Sequence, residues 1–232
     1  MSSVIEQNVK VVRKVLEEAA NKSGKQSSDI LLLAVTKTVH PRKIMEAINC
    51  GITDIGENKV QELMYKIDML SSSIKVHFIG SLQTNKVKYL IGNVCLIQSV
   101  DNLKLAREIS RLSEKAGTVS NILIEVNIGL ELAKSGVEEK QLEELLKNIS
   151  VLPNVKVRGL MTIPPYSPNP EKSRVYFRRM NNLFVDIRDK KIDNITMEYL
   201  SMGMSSDFAA AIEEGSNLVR IGSSIFGERY FN

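Results

Sequence analysis

The chain has 232 residues, with 31 Lys and Arg against 27 Asp and Glu for a formal charge of +4, and hydrophobic residues make up 43% of it. That balance excludes a disordered chain, and two cysteines exclude a disulfide scaffold. The longest apolar run, 30–35, falls far short of the roughly 20 residues that cross a bilayer, and the small positive excess makes no case for nucleic acid.

In chain order, Ile5, Val9, Val12 and Leu16 step by four, three and four, one face of an amphipathic helix. Both charge signs on its polar face favour packing on the domain over lying on a membrane. Charges at Glu6, Lys10, Arg13, Lys14, Glu17 and Glu18 interrupt any secretory apolar core, so a cytoplasmic protein is expected. From residue 30 onward, short β-branched runs alternate with helical patterns. The runs cover 30–37, 52–58, 76–81, 94–100, 122–128, 155–163, 196–202 and 218–226. The helical patterns cover 41–49, 59–70, 83–91, 102–116, 138–149, 170–190 and 207–214. Several runs are almost continuously apolar, as in parallel strands covered on both faces. Pro41 suits the first turn of a helix, and Asp101 suits an N-cap.

Eight strands with alternating helices predict an α/β fold, a single (β/α)8 TIM barrel over 1–232 with an extra N-terminal helix. A doubly wound open sheet is the rival, but it usually has fewer strands. The Pro- and Ser-rich stretch 164–169 reads as a loop after the sixth strand.

Such barrels carry their chemistry at the carboxyl ends of the strands. There the seventh run offers Ser201 to Ser206 and the eighth Gly222, Ser223 and Ser224. Hydroxyls, glycines and free N–H groups before a helix favour an anion, and barrels often hold phosphate at these two positions. Each segment alone is equally well explained as turn-forming residues; both together point to a phosphate ligand. Lys37 ends the first run, with the parity of Leu31, Leu33 and Val35. Facing inward with little water, it becomes a nucleophile for carbonyls; facing outward, it is an ordinary strand-end lysine. The first strand closes against the eighth, so Lys37 and the phosphate loops are expected to be neighbours. Phosphate and a Schiff-base lysine suggest pyridoxal phosphate or a phosphosugar aldolase.

Arg220 shares the parity of Leu218 and Gly222. Beside a cofactor ring it would disfavour protonation of the pyridine nitrogen and weaken the ring as an electron sink. A structural pairing with a carboxylate is its other reading. His77 is expected low in the barrel, in a core or edge role, and His40 in a loop. No cluster has metal spacing, and no nucleotide-binding glycine motif is present. Lys86 and Lys88 look like a helix face; Arg178, Arg179, Lys190 and Lys191 look like solvated charges.

Ala34-Val35-Thr36-Lys37, Gly56-Glu57-Asn58-Lys59-Val60-Gln61-Glu62 and His77 to Lys86 resemble the pyridoxal phosphate homeostasis protein family. So do Lys134-Ser135-Gly136, Gly159 to Ile163, Ser201-Met202-Gly203-Met204-Ser205 and Val219 to Gly227, which extends the likeness over essentially the whole chain. The Pro164-Pro165 loop and Asn127-Ile128-Gly129 depart from the commonest family spellings.

The resemblance implies a barrel like the N-terminal domain of alanine racemase, with pyridoxal 5'-phosphate (PLP) joined to Lys37. It places Arg220 at the pyridine nitrogen, makes Ser201, Gly203, Gly222 and Ser223 phosphate contacts, and puts Asn58 near the cofactor. It also implies a carrier or buffer of vitamin B6 without robust catalysis, and it puts Lys86 near a second, weaker site. The partners expected are PLP and apo PLP-dependent enzymes. An amino-acid racemase is the alternative, but its second acid/base comes from an additional domain in alanine racemase; without that domain a monomer is expected. A phosphosugar aldolase and a pure scaffold rank lower. Cys50 and Cys95 are expected to be buried structural thiols.

Overall fold

Alternation along β1 (Leu31–Val35) sends Leu33 and Val35 to one side and Ala34 to the other. The remaining strands are β2 (Asp54–Glu57), β3 (Lys75–Phe78), β4 (Leu96–Val100), β5 (Ser120–Glu125), β6 (Val155–Met161), β7 (Ile195–Met204) and β8 (Leu218–Ile221). They form a closed barrel in sequence order, every neighbouring pair parallel. β8 returns to β1 with Leu33 opposite Arg220. The computed structural model describes residues 2–131 and 133–228.

The helices are α1 (Val4–Lys22), α2 (Pro41–Asn49), α3 (Val60–Ile67), α4 (Leu103–Lys115), α5 (Glu139–Ser150), α6 (Arg174–Lys190), α7 (Phe208–Glu213) and α8 (Ser223–Phe226). Two apolar clusters follow from the strand period. Leu33, Val35, Ile79, Leu96, Leu123, Met161 and Leu218 fill the barrel interior. Ala34, Ile55, Phe78, Ile97 and Ile221 face the helix shell, where Leu105, Ile109 and Phe177 bury their side chains. The predicted face of α1 is the buried one, Ile5, Val9, Val12 and Leu16 all lying inside. Ser3 caps α1 by accepting from the Glu6 amide at 3.2 Å, and Asn8 donates to the Ile225 carbonyl at 2.9 Å, tying α1 to the last helix.

Four local expectations need correction. Segment 83–91 forms a 3-10 helix, Thr84–Tyr89, instead of an α-helix. Its buried residues, Val87 and Leu90, are three apart, the period of that tighter helix. The run 218–226 splits, because the Gly222 amide turns to the Ser205 hydroxyl and α8 begins there. The N-cap of α4 is Asn102, whose side-chain oxygen accepts from the Leu105 amide at 2.9 Å; Asp101 lies one residue too early. Cys50 is half-buried and Cys95 exposed, so neither is the buried thiol expected.

Candidate cofactor site

The carboxyl ends of β7, β8, β1 and β2 are consecutive around the barrel and carry Gly203, Gly222, Lys37 and Asn58. Lys37 follows β1 in the inward parity of Leu33 and Val35 and is half-buried. Its two neighbours are clamped. The Thr36 hydroxyl donates to Glu57 Oε1 at 2.6 Å, and the Thr38 amide donates to Glu62 Oε2 at 2.6 Å, with Thr38 held at φ +58°. Lys66 joins these anchors: its ammonium donates to the Thr36 carbonyl and to Glu57 Oε1, each at 2.7 Å, and to Glu62 Oε2 at 3.3 Å. Burial pushes the Glu57 carboxyl upward, and the Lys66 and Thr36 hydrogen bonds oppose it without fully offsetting it. For the less buried Glu62 the Thr38 amide and Lys66 prevail over desolvation, and its carboxyl titrates below the usual range.

Arg220 lies inside the barrel, only 3% exposed. Its Nη1 donates to Ser201 Oγ at 2.6 Å and its Nη2 to the Thr162 carbonyl at 2.8 Å. Burial brings its pKa down to about 10, with Glu125 and Asp207 pulling the other way, so it remains a cation at neutral pH. The Ser201 hydroxyl is wholly buried and directed to Gln98 and Arg220. Gly203 sits at φ +94°, where an added Cβ would stand 2.6 Å from Ala211 Cβ. One strand later, Ser205 Oγ accepts from the amides of Gly222 at 3.1 Å and Ser224 at 3.3 Å, while Ser223 is exposed at the start of α8. Ser201, Gly203, Arg220, Gly222 and Ser223 thus share one end of the barrel with Lys37. Among the described residues no donor reaches the buried oxygens Asn58 Oδ1 and Glu57 Oε2. Glu57 shares the shell-facing parity of Ile55, whereas Asn58 has the other parity, so its oxygen is the acceptor that a polar ligand at this end of the barrel would satisfy.

Sequence reading passed over several groups here. Glu125, at the end of β5, has the inward parity of Leu123; desolvation and the nearby Asp101 push its carboxyl up to about 7, against the pull of Arg220. Gln98, with Ser99, interrupts an otherwise apolar run, which was its one visible sign. Lys66 gave no sign, because a lysine in a helical pattern ordinarily faces water, yet it is 4% exposed. His77 is buried inside the barrel between Asp54 and Gln98, which meets the core expectation. Lys86 lies on the 3-10 helix, 5.8 Å from the Tyr89 ring centre. Arg178, Arg179 and Lys190 pair with Glu214, Glu139 and Glu143 on the outer surface. A cavity of about 740 Å³ opens at the opposite, amino-terminal end of the barrel, lined by Arg13, Asp29, Asp54, Glu198, Tyr199 and Asn217 among others.

Residues 3–230 match the family model described as alanine racemase, N-terminal domain. The pyridoxal phosphate homeostasis protein of Aquifex aeolicus is 48% identical over 217 residues, covering 93% of this chain and 94% of that protein. The chain belongs to this family. Relatives of the same description include that of Escherichia coli K12, 36% identical, with 98% of each chain covered. Among solved structures, PipY of Synechococcus elongatus PCC7942 with PLP bound superposes with a TM-score of 0.80 at 28% identity, covering 92% of this chain and all of PipY. An unknown protein from Bifidobacterium adolescentis reaches a TM-score of 0.91 at 32% identity, covering 96% of this chain and 94% of its own. The match spans family members nearly end to end, as it spans the barrel seen here.

Proposed function

We propose that this chain binds pyridoxal 5'-phosphate and serves intracellular vitamin B6 homeostasis, buffering the cofactor and delivering it to apo PLP-dependent enzymes. The observation that carries this reading is the convergence of Lys37, Arg220 and the two glycine turns on three adjacent strand ends, those of β7, β8 and β1. The unsatisfied Asn58 oxygen beside them fits a polar ligand seated there. When bound, the cofactor would supply an aldehyde, within reach of the Lys37 amine as a carbonyl-reactive nucleophile, and a phosphate. The clamp of Glu57, Glu62 and Lys66 on Thr36 and Thr38 holds the Lys37 backbone rigid, so the amine is offered from a fixed point. Gly203, Gly222 and Ser223 would hold the phosphate, the exposed Ser223 offering its hydroxyl at the start of α8. The Ser201 hydroxyl, turned to Arg220, serves the ring end of the site instead of the phosphate. Arg220 would donate to the pyridine nitrogen and disfavour its protonation, which would remove most of the electron-withdrawing power that carbanion chemistry needs. This supports a carrier without robust turnover, and we read the chain as one cytoplasmic, monomeric domain.

One observation favours a second reading, an amino-acid racemase: Glu125 titrates near neutrality inside the same end of the barrel, where a general acid or base would be poised. The two readings part on products. Formation of D-amino acid that is lost in Lys37→Ala supports the racemase; transfer of cofactor to an apoenzyme faster than from free solution supports the carrier. The first experiment is the visible spectrum of the protein mixed with PLP, before and after borohydride, beside Lys37→Ala. A visible band, bleached by borohydride and missing in the variant, is the expected result. No band in the unmodified protein would remove the cofactor reading.

A further inference from the structure

Small barrels are normally filled by apolar layers, and here a line of polar side chains crosses the interior. Asp54, His77, Gln98, Ser201 and Arg220 come from β2, β3, β4, β7 and β8, and each is less than a tenth exposed. His77 Nε2 lies 3.0 Å from Asp54 Oδ1, and Gln98 Nε2 lies 3.0 Å from His77 Nδ1. The Ser201 hydroxyl donates to Gln98 Oε1 at 2.7 Å, and Arg220 Nη1 donates to Ser201 Oγ at 2.6 Å.

With a neutral imidazole, one placement of protons satisfies all four links. An ionised Asp54 only accepts, so the histidine proton sits on Nε2. Burial works against that ionised state, but the His77 and Thr53 hydrogen bonds outweigh it and hold the Asp54 carboxyl below its ordinary value. Nδ1 then only accepts, so the Gln98 amide must turn its NH2 to His77 and its oxygen to Ser201. Ser201 commits its single proton to that oxygen and presents only lone pairs to Arg220. Donation runs one way, from the guanidinium down to Asp54, which lines the cavity at the amino-terminal mouth.

We infer that His77 and Gln98 are positioning residues for Arg220: they fix the Ser201 hydroxyl as an acceptor and so aim the guanidinium at the ring of the bound cofactor. The inference rests on the reading of Arg220 given above. Without that acceptor, the guanidinium keeps its bond to the Thr162 carbonyl and is free to pivot about it.

Two readouts test this. The first needs no cofactor. The chain has only two histidines, His40 and His77, so long-range 1H–15N spectra assign the His77 tautomer directly. The proton on Nε2 is expected; a proton on Nδ1 alone would overturn the chain of donation. The second is the visible band and the dissociation constant of PLP in Arg220→Gln, Gln98→Met and Gln98→Glu, with melting of the unloaded proteins to establish folding. Arg220→Gln is expected to move the band. Gln98→Met, similar in volume, is expected to move it in the same direction and loosen binding by about tenfold, the scale of one lost hydrogen bond. Gln98→Glu gives Ser201 an acceptor again and is expected to restore both band and affinity. A folded Gln98→Met with unchanged band and affinity, beside a shifted Arg220→Gln, defeats the positioning role alone. An unshifted Arg220→Gln defeats the ring-end reading of Arg220, and this inference falls with it. Should Gln98→Met not fold, His77→Phe carries the same expected shift, and an unchanged band there is equally fatal.

Discussion

Gly203 joins backbone conformation and packing at one position. It holds φ +94° with α7 directly behind it, so an alanine there meets both a left-handed backbone penalty and a Cβ clash. Gly203→Ala is expected to lower stability by about 1–3 kcal/mol and to weaken phosphate capture, measured by denaturant melts and by titration with PLP. Glu125 gives a pH signature. Its carboxyl is raised from 4.5 to about 7, so the folded chain keeps a proton that the unfolded chain releases. The folded state therefore has its full advantage below about pH 4.5 and loses it as pH rises toward 7, by about 3 kcal/mol in all. Glu125→Gln cannot ionise, so its melting temperature should match the parent near pH 4 and exceed it at pH 8. A parallel pH dependence in the two proteins would show that Glu125 does not titrate in this range.

At the scale of elements, the site depends on how α3 is docked against the ends of β1 and β2. Lys66 points from α3 into the barrel wall, and its partner Glu57 is entirely buried. Lys66→Met leaves that carboxylate without its cation, a change that costs about 3–5 kcal/mol in buried pairs. The cost should shrink as pH falls and Glu57 takes up a proton, and PLP binding should suffer along with stability because Thr36 and Thr38 lose their anchor. Chemical denaturation at pH 8 and pH 5 measures both the loss and its recovery. On the outer surface, pairs such as Arg179 with Glu139 are solvent-exposed and contribute little, so their removal should leave PLP binding unchanged.

At the scale of the whole molecule, closure in sequence order leaves no sheet edge, and each strand depends on both neighbours. One cooperative unfolding transition is expected, with far-UV circular dichroism and tyrosine fluorescence changing together. Two separated transitions would argue against the single domain proposed over 1–232.

Most of the barrel was legible because its signals are local. Apolar runs alternating with 3.6-residue patterns mark strand and helix wherever the chain is read. Parity grouped Lys37 with Leu33 and Arg220 with Leu218 but left open which way each group faces; the closed barrel turns both inward. The errors were local as well: a short crossover chose the 3-10 period, and the cap of α4 fell one residue later than expected. What the sequence could not display were relationships made by closure. Gln98 and Ser201 are 103 residues apart and hydrogen-bond inside the barrel; Glu57 and Lys66 meet because α3 folds back over β2. A buried polar group survives only if a partner reaches it, and which partner does so depends on tilt and register around the ring. The residue pattern therefore determined the architecture and the parity that groups Lys37 and Arg220 with their strand neighbours. The tertiary structure decided which distant side chains hold them in place, because only the closed barrel brings those side chains within hydrogen-bonding distance.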